Sequence, residues 1–236
     1  MKLMKLTRFA NVKDPRSLSN RLRSRRFERF ERLTEPLPRP LRILDVGGTT
    51  DFWEQRGWAG RDGVEIVMLN LTAQERRYDN IEPRAGDATD LGEYEDDSFD
   101  VVFSNSTIEH LFTRENQRRM AREVVRVGRA YWVQTPNFWF PMEPHFLVPG
   151  WQWLPESARV AILRRRRCGW VAREPDPERA RHRIREIRLL KRGELRELFP
   201  GADVWGESFL GLVKSWVVTG GFPPESAGAA STADPR

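Results

Sequence analysis

The chain has 236 residues, of which 39% are hydrophobic and 31% charged, a composition typical of a globular protein. The single cysteine, Cys168, excludes an internal disulfide and any metal cluster built on several cysteines, and we expect no metal site. No apolar run reaches the roughly 18 residues needed to span a bilayer, so we expect a cytoplasmic protein without a signal peptide.

The net charge of +6 is unevenly distributed along the chain. Residues 1–33 carry a net charge of +8 and residues 158–196 a net charge of +9, which leaves −11 on the rest. This segregation favours contact with an anionic partner, either phospholipid headgroups at a membrane surface, a phosphorylated substrate or nucleic acid. The alternative is a pair of arginine-rich helices with solvated faces.

The first predicted element is a helix over residues 17–33, where apolar residues recur at helical spacing. Three prolines between Pro36 and Pro40 then end the helix and form a stiff linker. We assign residues 1–40 to a basic helical extension at the N-terminus.

From residue 41 onwards, short apolar runs alternate with helical patterns. Helices are predicted over 50–56, 114–127 and 193–199, and strands over 41–46, 64–69, 81–85, 99–104, 130–134, 202–208 and 210–218. This alternation predicts an α/β fold over residues 41–219, with a seven-stranded, mostly parallel Rossmann-like sheet and helices on both faces.

Residues 137–190 interrupt the alternation with an aromatic, proline-rich stretch and an arginine-rich helical part. We expect this insertion to form a substrate cap, because its aromatic side chains can stack on a sugar or enclose an acyl chain. The alternative is that these aromatics form the core of a small subdomain. Residues 220–236 are rich in proline, glycine, alanine and serine, which predicts a disordered tail.

Polar motifs follow the first four strands in order, where open parallel sheets bind their ligands. These motifs are Asp45-Val46-Gly47-Gly48-Thr49, Asn70, Gly86-Asp87-Ala88, and Ser104-Asn105 with Glu109-His110. Glycines allow close approach of a ligand to the backbone, and a following helix directs its free amides at anionic groups. Each motif alone also fits an ordinary turn, loop or helix cap.

Together, these motifs resemble the successive motifs of class I S-adenosylmethionine-dependent methyltransferases. The resemblance covers about residues 41–136 and resumes over 191–219. It implies S-adenosyl-L-methionine as the cofactor. The residues expected around the methionine part are Asp45, Gly47, Gly48 and Thr49. Asn70 is expected at the ribose, Asp87 and Ala88 at the adenine, and Ser104 and Asn105 beside the methyl-bearing sulfur.

Two positions depart from the family pattern. Thr49 and Asp51 stand where later glycines are usual, and Asn70 stands where an acidic residue usually holds both ribose hydroxyls. A nicotinamide-binding fold would need Gly-x-Gly-x-x-Gly at the first turn, which residues 47–52 do not supply.

A hydroxyl nucleophile needs a base to take its proton. We predict His145 or His110 as that base, with Glu109 or Glu143 as the group that orients it; local packing of both histidines is the alternative. His182 is expected on a solvated helix. The prediction is methyl transfer to oxygen of a small-molecule, glycan or glycolipid acceptor. An RNA methyltransferase and a catalytically degenerate binding protein of the same fold are the alternatives.

Overall fold

The computed structural model describes residues 18–224, with the side chains of residues 18, 19, 21 and 22 excepted. The first described element is helix α1, Leu18–Thr34, at the position predicted. Its residues Phe27, Phe30 and Leu33 are buried on one face. The beginning of the predicted basic extension and most of the predicted disordered tail lie outside the described residues.

As predicted, seven strands of the described residues form one mostly parallel sheet, and the structure gives their order as β3-β2-β1-β4-β5-β7-β6. The strands are β1 Leu41–Val46, β2 Val64–Asn70, β3 Ile81–Ala85, β4 Phe99–Asn105, β5 Gly128–Pro136, β6 Asp203–Phe209 and β7 Leu212–Gly220. Strands β1 to β5 are parallel, and β7 is antiparallel to both β5 and β6. The strand order reverses between β1 and β4, which is where ligands of such sheets bind.

The other helices are short, apart from the one between β4 and β5. They are α2 Thr50–Gln55, α3 Arg114–Val127, α4 Glu156–Arg165, α5 Pro177–Arg185 and α6 Arg192–Leu198, with 3₁₀ turns at Ile108–His110 and Trp151–Trp153. Among the described residues, none of the helices combines the length and the apolar character needed to cross a membrane.

Two apolar layers cover the sheet because successive side chains of each strand point to opposite faces. On β4, Val102 packs with α3 and α6, whereas Val101 and Phe103 pack with α1 and the tryptophans that follow β1. These buried contacts fix the carboxyl ends of β1 and β4 side by side.

The insertion has an apolar cluster of its own, which includes Phe146, Trp151, Leu163 and Ile184. Several of its arginines form ion pairs within the insertion, among them Arg181 and Arg185, which both pair with Glu156. Part of the positive charge in residues 158–196 is therefore balanced locally.

Candidate active site

The loop after β1 is shaped by two glycines. Gly47 has a φ of +80°, which favours glycine, and a Cβ atom on it would lie 2.3 Å from Thr107 Oγ1. A Cβ atom on Gly48 would lie 1.6 Å from Asp45 Oδ2. Thr49 instead is extended and exposed at the start of α2, which explains why a side chain is tolerated at this usual glycine position.

Asp45 is fully buried beneath this loop. Trp53 Nε1 donates a 2.6 Å hydrogen bond to Asp45 Oδ2, while Oδ1 has no hydrogen-bond partner among the described residues. Burial raises the pKa of the Asp45 carboxyl to about 7, against the lowering effect of the Trp53 hydrogen bond. The carboxylate thus has one buried oxygen available to a donor or a cation.

A cavity of about 450 Å³ lies over the ends of β1 and β4. It is lined by Arg23, Asp45, Gly47, Gly48, Thr49, Asp51, Phe52, Gln55, Arg56, Phe103, Asn105 and Ser106. Asn105 is held in place because Arg26 donates a 2.9 Å hydrogen bond to its Oδ1 and pairs at 2.8 Å with Glu207.

Arg23 lines this cavity and contributes a cation to it. The sequence analysis did not assign Arg23 to the site. No described residue forms a hydrogen bond or ion pair with its guanidinium, whose pKa is lowered to about 10 by burial and by repulsion from Arg26 and Arg56. The basic character of residues 1–33 is the signal in the sequence, but by itself it predicts only contact with an external anion. The unpartnered oxygen of Asp45 and the cation of Arg23 match the ammonium and carboxylate at the methionine end of the expected cofactor.

The other predicted cofactor residues lie around the loop and beyond the cavity. Asn70 Nδ2 donates a 2.9 Å hydrogen bond to the Gly48 carbonyl oxygen, and buried Ser104 donates one of 3.1 Å to that of Val46. Asp87 is exposed and accepts a 2.8 Å hydrogen bond from the Thr89 amide, next to half-buried Ala88. Ser104 therefore supports the loop from below.

The predicted catalytic residues Glu109, His110 and His145 lie together at the carboxyl ends of β4 and β5. A carboxylate oxygen of Glu109 and one ring nitrogen from each histidine all lie within 4.8 Å of one another. The two imidazole rings are perpendicular, with centroids 4.8 Å apart. His182 lies apart from them, exposed on α5 as predicted.

Glu143 fixes the orientation of His145. Its Oε1 lies 2.6 Å from His145 Nδ1, and its Oε2 accepts hydrogen bonds from the backbone amides of His145 and Phe146. Burial lowers the pKa of His145, but the hydrogen bond and charge of Glu143, with the charge of Glu109, outweigh it and raise the pKa overall. Desolvation and the nearby His145 ring lower the pKa of His110.

Glu109 resembles Asp45 in its surroundings. It is fully buried, Thr135 Oγ1 donates a 3.0 Å hydrogen bond to its Oε2, and its Oε1 has no partner among the described residues. Burial raises the pKa of the Glu109 carboxyl to about 7, although the charge of His145 lowers it.

A second cavity of about 310 Å³ lies within the insertion, against the start of α6. It is lined by Phe138, Glu143, Phe146, Trp151, Gln152, Arg159, Ile184, Ile187, Arg188, Leu189, Lys191 and Glu194. Lys191 lies over the rings of Phe138 and Trp139, and Trp139 and Trp153 form an exposed pair with ring centroids 6.4 Å apart. Sequence reasoning noted these aromatics but did not single out Arg159 or Lys191.

Comparison with known proteins yields one family match and several distant structural matches. Residues 46–130 match the model of a family described as "Methyltransferase domain". An uncharacterized protein of Mycobacterium tuberculosis is 39% identical over 51 residues, which cover 22% of this chain and 17% of that protein. The match thus spans about a sixth of that relative's length.

Two solved structures show the extent of the structural likeness. A "possible exported protein" from Bordetella parapertussis has a TM-score of 0.52 at 12% identity, with 92% of this chain and 78% of that one covered. A SAM-dependent methyltransferase from Aquifex aeolicus has a TM-score of 0.47 at 14% identity, with 92% and 95% covered.

The match over residues 46–130 contains the glycine loop, the ends of β2 to β4 and the Glu109-His110 pair, all of which lie on the ligand-binding edge of the sheet. Over these residues the chain is similar to a methyltransferase domain, which supports the predicted class I S-adenosylmethionine-dependent methyltransferase family and S-adenosyl-L-methionine as the cofactor.

Proposed function

We propose that this chain transfers a methyl group from S-adenosylmethionine to a hydroxyl oxygen of a small-molecule, glycan or glycolipid acceptor. The observation that carries the proposal is the position of Glu109, His110 and His145. Glu109 and His110 follow closely in the sequence after Asn105 and Ser106, which line the first cavity. Glu143 lines the second cavity and contacts His145.

The first cavity is proposed to hold the methionine part of the cofactor, which supplies an electrophilic methyl group. Asp45 accepts the ammonium group with its unpartnered oxygen, and Arg23 binds the carboxylate. The Gly47-Gly48 backbone borders the chain between them, with Thr49 at the rim. This arrangement pairs the unpartnered Asp45 oxygen and the Arg23 cation of the same cavity with the two opposite charges of the cofactor's methionine end.

The other end of the cofactor is proposed to lie along the ends of β2 and β3. Asn70 keeps its Oδ1 for a ribose hydroxyl because its Nδ2 is bonded to the loop. Asp87 and Ala88 face the adenine, and Asn105 with Ser104 supports the region of the sulfur. The single amide of Asn70 predicts weaker ribose binding than a carboxylate would give.

The acceptor is proposed to lie in the second cavity, under residues 137–190 acting as a cap. Trp139 and Trp153 are 59% and 47% exposed, and such a surface suits stacking against a sugar ring. Arg159 and Lys191 would attract an acidic group on the acceptor, whereas Arg188 is already occupied by Gln117 and Glu194. A sugar that carries a carboxylate or phosphate therefore fits best.

In this proposal the Glu109, His110 and His145 side chains activate the acceptor hydroxyl, and Glu143 positions His145. Methyl transfer is an in-line displacement, so the role of the protein is mainly to bring the nucleophilic oxygen to the methyl carbon. Cytoplasmic localisation and contact with an anionic membrane surface stay predictions, and liposome binding that disappears at high salt would support the membrane contact.

The test combines cofactor binding with an acceptor screen. Titration calorimetry should show binding of S-adenosylhomocysteine, and mass spectrometry should show gain of a methyl group by an acidic sugar or glycolipid. Trp139→Ala should raise the acceptor KM by about tenfold, because its ring contacts Phe138 and Lys191, which line the cavity. Trp170→Ala removes another exposed tryptophan of the insertion that does not line the cavity, and it should leave the KM unchanged.

Three results would contradict the proposal. Absence of cofactor binding at millimolar concentration would indicate a degenerate fold that acts as a binding protein. Methylation of RNA, or copurifying nucleic acid, would favour the RNA alternative. A mass gain on an acceptor nitrogen or carbon would exclude the assignment to oxygen.

A further inference from the structure

The cluster of Glu109, His110 and His145 has the composition of a metal-binding site. It offers one carboxylate and two imidazoles, which are ligands that suit first-row divalent ions such as Zn²⁺. The cluster extends from the buried Glu109 through the half-buried His145 to the exposed His110. An ion could therefore enter from solvent and still be held from the protein interior.

Glu109 provides the observation that points to a ligand. Its side chain is fully buried, Oε2 is satisfied by Thr135, and Oε1 has no hydrogen-bond partner among the described residues. A buried carboxylate oxygen without a partner is costly in free energy. A cation bound between Glu109 and the two histidines would remove that cost.

The surroundings of His145 favour the same role. Glu143 Oε1 accepts the Nδ1 hydrogen at 2.6 Å, which leaves Nε2 with its lone pair as the coordinating atom. A carboxylate that holds the second nitrogen of a ligand histidine is the usual outer-shell arrangement of protein metal sites. Glu143 is itself fixed by two backbone amides, so the His145 ring is oriented before any ion binds.

We propose that Glu109, His110 and His145 bind one divalent transition-metal ion of the Zn²⁺ type. Ligand atoms about 2.1 Å from such an ion lie roughly 3.4 Å apart, compared with the 4.8 Å upper limit here. The difference would close by small side-chain rotations as the ion binds. Three protein ligands leave at least one coordination position open, as in catalytic sites.

This inference rests on the proposed function and specifies how the acceptor is activated. The acceptor hydroxyl binds the open position, its pKa falls, and its proton passes to solvent. The oxygen lone pair then forms a bond to the methyl carbon while the carbon–sulfur bond breaks. Its electron pair stays on sulfur, which becomes a neutral thioether. His145 is then a ligand, and the metal ion takes over the task of a base.

The experiment measures metal binding by the full chain with its purification tag removed. After dialysis against EDTA, calorimetric titration with Zn²⁺ and with Co²⁺ should show one ion per chain at micromolar affinity or tighter, and Co²⁺ should give visible absorption bands. Glu109→Gln and His145→Ala should each weaken binding by about 100-fold, and Glu143→Gln by 10- to 100-fold. The control His182→Ala removes a histidine outside the cluster and should leave binding unchanged.

Titration of the same variants with S-adenosylhomocysteine verifies that they are folded. A stoichiometry of zero at 100 μM Zn²⁺, or unchanged affinity in Glu109→Gln and His145→Ala, would overturn the inference. Full methyl transfer in EDTA would also overturn it while the proposed function stands. Metal binding without methylation of any acceptor would instead contradict the proposed function and retain the site.

Discussion

The ends of β1 and β4 each hold a carboxylate that is fully buried and half-satisfied. Asp45 and Glu109 each accept one side-chain hydrogen bond, from Trp53 and Thr135 respectively, and each has a second oxygen with no partner among the described residues. Burial raises the pKa of both carboxyls to about 7.

The two sites differ in what faces the free oxygen. The cavity beside Asp45 also contains the cation of Arg23, so the pair presents opposite charges to a zwitterion. Glu109 faces two imidazoles, whose ring nitrogens can coordinate a metal ion. Burial raises the pKa of both carboxyls in the same way, so burial does not distinguish the two sites. The ligand that each carboxylate suits therefore depends on the neighbouring groups.

The largest effect is expected for a substitution of Gly48, because the loop over Asp45 leaves no room for a side chain at this position. Gly48→Ala would place a Cβ atom 1.6 Å from Asp45 Oδ2, so the loop must shift. We expect a loss of roughly 2–4 kcal/mol in the free energy of unfolding and no measurable cofactor binding. Urea denaturation and calorimetry measure both.

The control for that variant is Gly193→Ala in α6. A Cβ atom on Gly193 meets nothing within 4 Å, so this variant should be neutral or slightly more stable. Equal stability of the Gly48 and Gly193 variants would show that the Asp45 carboxylate is not packed against the loop as described.

The second prediction separates the two carboxylates by function. Asp45→Asn should weaken S-adenosylhomocysteine binding by at least about tenfold, because it removes a negative charge from the ammonium site. Glu109→Gln should lower kcat by about 100-fold and leave cofactor affinity within about twofold. Equal effects on cofactor affinity would show that the two sites are not distinct.

The third prediction concerns the pH dependence of stability at Asp45. Because the pKa of Asp45 is raised from 3.8 to about 7, the folded chain holds this proton more tightly than the unfolded chain. The associated stability is full below about pH 4 and is lost as the pH rises through about 7. Asp45→Asn should therefore gain about 3 kcal/mol relative to the natural sequence between about pH 4.5 and pH 8. A constant difference across that range, in urea denaturation, would mean that the carboxyl titrates normally.

The smallest effect is expected at Arg23, which lines the same cavity as Asp45. Arg23→Ala should weaken cofactor binding by about five- to tenfold, and the melting temperature should change little. Arg25→Ala, at an exposed position of the same helix, is the matched control and should leave the affinity unchanged. A cofactor affinity that is the same in both variants would remove Arg23 from the site.

The strand–helix framework could be predicted closely from the sequence. Strands β1 and β3 and helix α3 have the predicted bounds, and the remaining strands differ by one or two residues at their ends. The reason is local, since apolar runs and helical spacing are properties of neighbouring residues. The order of polar motifs then placed Asp45 and Glu109 at one edge, because parallel strands end on the same side.

Contacts between distant segments could not be predicted in this way. Arg23 looked like part of a surface charge run, yet α1 packs on the sheet and brings it into the cavity that we propose for the cofactor. The arginines of the insertion looked free for an anionic partner, yet Arg181 and Arg185 pair with Glu156. Charge in a sequence does not indicate which groups neutralise it, because the partners can lie far apart along the chain.

The sequence by itself was enough to predict the fold class and the four polar motifs. It also identified His110 and His145 as candidate site residues and His182 as a residue of a solvated helix. Only the tertiary structure decided that Glu109 and His110 meet His145, which is 35 positions further along the chain, and that Glu143 holds its ring. The physical reason is that periodicity fixes which face of an element is buried, whereas the packing of the loop after β5 against the end of β4 fixes which side chains share a site. The expectation of no metal site came from counting cysteines, and it could not anticipate a carboxylate and two imidazoles brought together by that packing.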